Sequence, residues 1–342
     1  EDFLINGAKA VIVISHDRAF VDAITTRTIE VTMGRIYDYR ARYSDYLELR
    51  KDRRAQQQKQ YDEQQKFIAE TTEFIERFKG TYSKTLQVQS RVKMLEKLEL
   101  VEVDEVDNSA LRLKFPPAPR SGSYPVVVNE LSKSYDDHLV FKDASITIER
   151  GEKVAFVGRN GEGKSTMVKA IMGEIDFEGS LELGHNIQIG YFAQNQASLL
   201  DETSTVFETI DRIAEGDIRT KIKDILGAFM FGGENSAKKV KVLSGGEKTR
   251  LAMIKLLLEP VNLLILDEPT NHLDMKTKDI IKDALRDFDG TLILVSHDRD
   301  FLDGLVTKVY EFGNQRVKTH FEDINGFLQT KKMENLREIE RK

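Results

Sequence analysis

Residues 158–166 read GRNGEGKST and have the composition and spacing of a phosphate-binding loop. The segment follows a short apolar run and precedes a helical pattern, which is the context that such a loop requires. Glycines let backbone N–H groups approach phosphate oxygens, and the following helix N-terminus adds a favourable dipole. We therefore expect Lys164 to reach the β- and γ-phosphates of a nucleotide and the Ser165 hydroxyl to ligate Mg²⁺. The nucleotide-binding residues predicted from this loop are Gly158, Asn160, Gly161, Gly163, Lys164, Ser165 and Thr166.

Two acidic residues, Asp267 and Glu268, follow a second apolar run at residues 263–266. Ligands of open α/β sheets bind at the carboxyl ends of the strands, so these acids are expected beside the phosphate-binding loop. Asp267 suits a Mg²⁺ shell, and Glu268 is then placed to act as the general base that polarises an attacking water. Two acids at a strand end can also be solvated loop residues, but the phosphate-binding loop upstream favours the catalytic interpretation.

These residues need a scaffold whose strands end at a common edge. Apolar runs at residues 153–157, 263–266 and 292–295 each lead into a loop and a helical pattern. This alternation predicts an α/β unit with a mostly parallel sheet.

The sequence also contains an internal repeat. Residues 11–20, VIVISHDRAF, match residues 292–301, LILVSHDRDF, with an offset of 281 that carries His16 to His297. The same offset pairs Glu30 with Glu311. Such self-similarity indicates two copies of one structural unit. We expect residues 1–46 to be the end of a first module whose beginning, with its own phosphate-binding loop, is missing from the sequence.

A connector of different composition, rich in Gln, Lys, Arg and Glu, separates the two copies. Tyr61, Ile68 and Ile75 recur every seven residues, and the pattern breaks near residues 80–83 before it resumes. Two long helices in an antiparallel hairpin are the simplest prediction. The segment FPPAPRSG at residues 115–122 then supplies a stiff joint that ends helices.

The segment LSGGE at residues 243–247 resembles the signature of the ABC ATPases, and Ser296, His297 and Asp298 complete that family's set of motifs. The resemblance implies the α/β fold of a P-loop NTPase, here an ABC-type nucleotide-binding domain with a long α-helical hairpin linker. In that family two modules enclose two ATP molecules head to tail, so a signature acts on the nucleotide held by the opposite module. The residues implied to act in trans are Ser244, Gly245, Gly246 and Glu247.

Three further site residues are implied by the same resemblance. His297 is expected to contact the γ-phosphate held by Lys164, and Gln194 to sense Mg²⁺ and water as a metal ligand and catalytic residue. Tyr135 stands where the family places an aromatic ring against adenine. An aromatic residue in a strand can also be packed core, and that alternative stays open for Tyr135.

The EPTNHLD segment at residues 268–274, the tandem copies and the charged connector resemble the ABC-F family, whose members are soluble and act on ribosomes. The resemblance covers essentially the whole chain. It implies ATP and Mg²⁺ as cofactors, a cytoplasmic location, and a ribosome with its rRNA and tRNA as partner of the parent protein. The opposing half-site would come from the first module in cis or from a homodimer. The predicted domains are residues 1–46, the end of the first module; 47–119, the inter-module arm; 120–325, the second module; and 326–342, a helical tail.

The turn of the predicted arm is locally basic and contains one aromatic residue, Tyr82. Cations on a surface helix are usually a solvated face, but the family resemblance favours contact with RNA phosphates. Tyr82 is expected either to stack on an exposed base or to pack back onto the hairpin. The candidates for RNA contact are Arg77, Lys79, Tyr82, Lys84, Arg91 and Lys93.

Composition narrows the class of protein. The chain has 342 residues, a net charge of −6 and no cysteine, which excludes disulfides and thiolate metal sites and fits a reducing cytosol. It lacks an apolar run of the ~18 residues that a membrane span needs and has no signal-peptide pattern at its N-terminus. We expect an ATPase of the ABC-F translation-factor type; the alternatives are the ATP-binding subunit of an ABC transporter and a DNA-branch or repair ATPase. The isolated chain is expected to hydrolyse ATP slowly, because it lacks the first module's phosphate-binding loop and signature.

Overall fold

The computed structural model describes residues 2–7, 9–15, 17–32, 34–101, 113, 115–136, 138–193, 196–271 and 273–340. The chain divides into two compact units, residues 1–107 and 108–342. This division precedes the predicted end of the arm at residue 119. The physical reason is that Leu113 is buried in the core of the second unit and the Phe115 ring packs 4.5 Å from the Phe288 ring.

The first unit contains a β-hairpin followed by a long helix. Its elements are α1 (Asp2–Gly7), α2 (Arg18–Ile24), β1 (Thr28–Thr32), β2 (Arg35–Tyr39), α3 (Tyr43–Phe78), a 3₁₀ turn (Tyr82–Lys84) and α4 (Thr85–Glu96). Strands β1 and β2 are antiparallel. Helix α3 therefore begins before residue 47, the predicted start of the arm.

The arm is a hairpin of unequal helices rather than the predicted pair of long ones. Helix α3 has 36 residues, whereas α4 has 12. Gly80 has a φ of +95°, which favours glycine and lets the chain reverse. After α4 the chain returns along α3, where the side-chain amide of Gln64 donates to the Glu99 carbonyl at 2.7 Å and accepts from the Val101 N–H at 2.8 Å. These bonds satisfy backbone groups that a longer helix would satisfy internally.

The predicted repeat is visible as the same hairpin and helix start in both units. In the first unit the Glu30 carboxylate lies 2.6 Å from the Arg50 guanidinium. At the offset of 281 residues, the Glu311 carboxylate lies 2.8 Å from the Lys331 ammonium. Both acids stand on the first strand of a hairpin and both cations stand on the helix that follows it.

An aromatic pair is repeated at the same offset. The rings of Tyr39 and Tyr46 meet edge to face with their centroids 5.0 Å apart. Their counterparts, His320 and Phe327, meet edge to face at 5.0 Å. The ion pair and the ring pair together fix the angle between hairpin and helix, so the two copies share a packing arrangement as well as a sequence.

The second unit is built on a twisted parallel sheet. Its strands are β3 (Val126–Tyr135), β4 (His138–Ile148), β5 (Lys153–Gly158), β6 (Glu178–Leu183), β7 (Ile189–Phe192), β8 (Leu263–Asp267), β9 (Thr291–Val295), β10 (Lys308–Gly313) and β11 (Arg316–His320). Its α-helices are α5 (Lys164–Ile171), α6 (Val206–Asp211), α7 (Asp217–Thr220), α8 (Ile222–Ala228), α9 (Gly245–Leu257), α10 (Met275–Asp287), α11 (Arg299–Leu302) and α12 (Ile324–Glu340).

Six strands form the central sheet in the order β11-β10-β5-β9-β8-β7, and β4-β3-β6 form a separate antiparallel sheet. All neighbours in the central sheet are parallel except β10 and β11. This confirms the predicted α/β fold. Every residue of β8 and β9 is buried, because both faces of the sheet are covered. Leu264 and Leu266 enter the core on one face, while Leu263 and Ile265 enter the core on the other.

The strand order places the carboxyl ends of β5, β9 and β8 side by side. The phosphate-binding loop follows β5, Asp267 ends β8 with Glu268 directly after it, and His297 follows β9. Across the part of the chain that the structure describes, no helix is long and apolar enough to cross a membrane.

Candidate active site

The loop between β5 and α5 depends on glycine at two positions. Gly158 has a φ of +152°, and a Cβ there would lie 2.3 Å from the Phe312 carbonyl oxygen. Gly163 has a φ of +95°, and a Cβ there would lie 2.5 Å from Cγ1 of Val140. A side chain at either position would be strained and would collide with the protein. The loop is therefore shaped by backbone conformation as well as by close packing.

Lys164 begins α5 and reaches back across the loop. Its Nζ donates to the carbonyl oxygens of Gly158 and Arg159 at 2.8 and 2.9 Å. Burial lowers the pKa of Lys164, and the nearby carboxylates of Glu268 and Asp267 oppose that shift. The ammonium group is thus held at the mouth of the loop, where it can face a phosphate.

Ser165 and Asp267 meet as the predicted metal ligands should. The Ser165 hydroxyl donates to Oδ2 of Asp267 at 2.8 Å. Burial raises the pKa of Asp267, and the bond from Ser165 opposes the shift. Within the described residues, the buried Oδ1 of Asp267 has no hydrogen-bond partner. A hydroxyl and an orphaned carboxylate oxygen side by side fit Mg²⁺, which prefers oxygen ligands.

Glu268 directs its carboxylate into the same region. It has a φ of +52°, which is rare for a residue with a side chain, and its N–H donates to the Val295 carbonyl at 2.8 Å. Its pKa is raised, first by burial and then by the neighbouring charge of Asp267. A raised pKa makes the carboxylate a stronger proton acceptor at neutral pH, as a general base requires.

His297 approaches the loop from the end of β9. Its Nε2 lies 2.9 Å from Oδ1 of Asn160 and 3.5 Å from Oε1 of Glu268. Burial and the charge of Lys164 lower the pKa of His297. The imidazole is therefore neutral at neutral pH and offers one donor and one acceptor nitrogen.

These groups surround one cavity of about 180 Å³. The residues predicted to bind phosphate, to ligate the metal and to polarise water thus come together, and most of the predicted loop residues line the cavity. Gly158 instead contributes the carbonyl that accepts from Lys164. The lining residues are Asn160, Gly161, Gly163, Lys164, Ser165, Thr166, Asp267, Glu268, Val295 and His297.

The predicted adenine-stacking residue, Tyr135, is not among the described residues that line this cavity. Tyr135 ends β3 with its ring 43% exposed and the Lys133 ammonium 4.9 Å from the ring centroid. The exposure argues against the alternative that Tyr135 is packed core. Gln194 lies outside the described residues. Strand β7, which ends two residues earlier at Phe192, pairs in parallel with β8.

The signature residues begin helix α9. Ser244 is the N-cap, its hydroxyl accepts from the Glu247 N–H, and the Glu247 carboxylate accepts from the Ser244 N–H, which forms a capping box. Ser244 and Gly245 are exposed. None of Ser244, Gly245, Gly246 and Glu247 is among the described residues that line the cavity.

The arm candidates differ in how far they are already engaged. Tyr82 is 97% exposed, so it does not pack back onto the hairpin. Arg91 stacks over the Phe74 ring at 3.8 Å, and Arg77 pairs with Glu73 at 2.7 Å. Lys79 and Lys93 are exposed. Lys84, in the 3₁₀ turn, donates to the side-chain oxygen of Gln87 on α4.

The sequence did not predict two ion pairs that connect α9, α10 and the loop that carries His297. Arg250 of α9 contacts Asp274, the N-cap of α10, and Lys278 of α10 contacts Asp298 beside His297. These partners are 20 or more residues apart, so no local spacing could pair them.

Two family models, both described as ABC transporter, match residues 29–113 and 141–271. The chain belongs to the ABC family. Its predicted resemblance to the F-type members is confirmed: it is 38% identical to ABC transporter F family member 5 and 39% identical to member 2 of Arabidopsis thaliana, over 100% of this chain and 51% of each relative. It is also 35% identical to a protein of Escherichia coli strain K12 named "Probable ATP-binding protein YheS", over 96% of this chain and 52% of that protein.

The chain spans about half the length of these curated relatives. Among solved structures, a bacterial Atm1-family ABC exporter with ATP bound matches with a TM-score of 0.53 and 19% identity, over 72% of this chain and 46% of that one. At this identity the likeness supports the fold and nothing finer.

Proposed function

We propose that the chain binds ATP with Mg²⁺ and hydrolyses it to ADP and phosphate. The observation that carries this proposal is the pairing of the Ser165 hydroxyl with Asp267 at 2.8 Å, one residue before a partly buried glutamate of raised pKa. A metal-ligand pair beside a general base, facing a phosphate-binding loop, is the arrangement that phosphoryl transfer to water needs.

Each residue has a definite part in the proposed reaction. Lys164 and the loop N–H groups bind and orient the β- and γ-phosphates. Ser165 and Asp267 would hold Mg²⁺, which supplies positive charge against the phosphate oxygens when bound. Glu268 orients the attacking water and accepts its proton. The neutral ring of His297 donates a hydrogen bond to the γ-phosphate from the nitrogen that carries its proton.

The proposed reaction site is completed by a second signature. Ser244 and Gly245 are exposed at the N-terminus of α9, where they can face a nucleotide bound elsewhere. We infer from the family's arrangement that this signature serves the first module, in cis, or a second copy of the chain. Turnover by the isolated chain is then slow, and a rate that rises with the square of protein concentration indicates a homodimer.

At the level of the whole protein, we propose a cytoplasmic, ribosome-associated translation factor of the ABC-F type. ATP closes two modules on the ribosome, and hydrolysis releases them, which is a population shift driven by contacts to the γ-phosphate. The F-type relatives and the arm support this proposal. At the arm's turn, Tyr82 is almost fully exposed and is free to stack on a base of rRNA or tRNA.

The test is co-sedimentation of the full-length protein with purified ribosomes. The Glu268→Gln variant, with its first-module equivalent, is expected to bind ribosomes in ATP and not in ADP. Tyr82→Ala should weaken this binding, while Phe67→Ala, a change at a half-exposed ring on helix α3 of the same arm, should not. Binding that ignores the nucleotide, or equal effects of the two arm variants, would contradict the ribosomal proposal and leave the ATPase proposal intact.

The ATPase proposal has its own test. The Glu268→Gln variant should retain ATP binding while steady-state phosphate release falls by about 100-fold to 10,000-fold, the range expected for a general base. Unchanged turnover would exclude the role proposed for Glu268.

A further inference from the structure

His297 has little packing of its own to fix its direction. Its side chain is 51% exposed, and the polar contacts that its ring makes within the described chain are those to Asn160 and Glu268. The direction of the ring therefore depends on the backbone of residues 296–298. A group that fixes this backbone therefore sets the position of the His297 ring at the proposed γ-phosphate site.

The carboxylate of Asp298 fixes that backbone from two sides. Its Oδ1 accepts from the Phe301 N–H at 3.0 Å and so caps α11. Its Oδ2 accepts from Nζ of Lys278 at 2.7 Å. The side chains of Lys278 and Asp298 are each 15% exposed, so water screens this pair less than it screens a surface pair.

Lys278 is itself tied to the signature helix. It stands in the first turn of α10, whose N-cap, Asp274, accepts from the Thr277 N–H at 3.0 Å. The same carboxylate lies 3.4 Å from the Arg250 guanidinium of α9. Two ion pairs thus run from α9, through the first turn of α10, to the loop that carries His297.

We propose that Lys278 is a positioning residue for His297 and makes the position of that ring depend on helix α9. The inference rests on the proposed ATP hydrolysis, in which His297 contacts the reacting phosphate and Lys278 acts only through Asp298. Helix α9 begins with the signature that serves the opposite nucleotide. The two ion pairs therefore connect the signature, which contacts one nucleotide, to His297, which contacts the other.

The test compares three substitutions on α10 in the full-length protein. Lys278→Met removes the charge and keeps the chain length, Lys278→Arg restores the charge, and Arg286→Met removes an exposed cation of the same helix that pairs with Asp283. Lys278→Met is expected to lower kcat by about 10-fold to 100-fold, because a misplacement of about 1 Å at a reacting group costs that much. The Kd for ATP should match that of Arg286→Met, and Lys278→Arg should recover most of kcat. The unfolding midpoint should fall more than in Arg286→Met, because the Lys278–Asp298 pair is the more buried of the two.

A second measurement does not require turnover. The ring nitrogen signals of His297, assigned with a His297→Asn variant in ¹⁵N-histidine protein, should broaden or shift in Lys278→Met and not in Arg286→Met. If Lys278→Met leaves both kcat and these signals unchanged, the positioning role is wrong. A fall of ATP affinity that matches the fall of kcat would overturn it in favour of a general structural role. Absence of ATP hydrolysis in the wild-type protein would refute the ATPase proposal, while the His297 signals would still decide the role of Lys278.

Discussion

Replacing Ser165 with alanine should destabilise the second unit as well as weaken metal binding. The Ser165 hydroxyl donates to Oδ2 of Asp267, whose Oδ1 already lacks a hydrogen-bond partner within the described structure. The substitution would therefore leave a carboxylate that is only 4% exposed without a hydrogen-bond donor for either oxygen. A hydrogen bond to a charged group contributes about 1.5–3 kcal/mol, so we expect Ser165→Ala to lower the free energy of unfolding by that amount at pH 7.5.

Amide hydrogen exchange in strand β8 measures this loss of stability in the second unit. Strand β8 is fully buried, so its amides report opening of the second unit alone. Because 1.4 kcal/mol is a factor of ten, exchange in residues 263–267 should accelerate by about 10-fold to 150-fold. Ser236→Ala, which removes an exposed hydrogen bond to the Gly233 carbonyl, is the control and should change exchange little. Equal exchange in the two variants would refute the argument that Ser165 stabilises the buried Asp267 carboxylate.

Three further predictions concern pH and packing. Because burial and the charge of Asp267 raise the pKa of Glu268, kcat should fall toward acid pH with a limb above the ordinary value of 4.5, where the general base becomes protonated; a limb at or below 4.5 would contradict the assignment. The double change Arg50→Met and Arg53→Met should destabilise the first unit by about 3 kcal/mol, because it leaves the buried Glu30 carboxylate without either cation, whereas Lys331→Met, at the more exposed equivalent pair, should cost about 1 kcal/mol. Hydrogen exchange in β1 and β10 compares the two, and equal losses would refute the burial argument. Gly163→Ala should cost about 2 kcal/mol or more through its positive φ and the collision at the loop, and an unchanged thermal midpoint would show that the loop can relax.

The central sheet was predictable because its strands are short, continuous apolar runs that end at polar residues of distinctive type. Strands β5, β8 and β9 all stand where the sequence predicts them. The antiparallel sheet was not predicted. Strand β3 changes register against β4 at several points, and these irregularities interrupt the alternation that identifies a strand.

The cavity-lining residues were predictable for a different reason. Each motif directly follows a buried strand, and the carboxyl ends of neighbouring parallel strands lie at the same edge of the sheet. Asp267 and His297 are distant in sequence, but they line one cavity because their strands are parallel neighbours. The short length of α4 was not predicted, because the charged composition typical of the helical connector continues beyond Glu96, where α4 ends. After α4 the chain returns along α3, where the side chain of Gln64 hydrogen-bonds to the backbone of Glu99 and Val101. These residues are more than 30 positions apart and meet only in the folded arm, so the sequence pattern could not pair them.

The long helix of the first unit acts mechanically as a lever. Its 36 residues, at 1.5 Å each, give a length of about 54 Å. Near its root, the buried Glu30 carboxylate binds both Arg50 and Arg53, which fastens the helix to strand β1. From Arg50 to the end of α3 at Phe78 the helix is about 42 Å long, so a tilt of about 5° at this fastening would displace its far end by about 4 Å. Small rotations of the β1–β2 hairpin are therefore magnified into displacements of several ångströms near Tyr82.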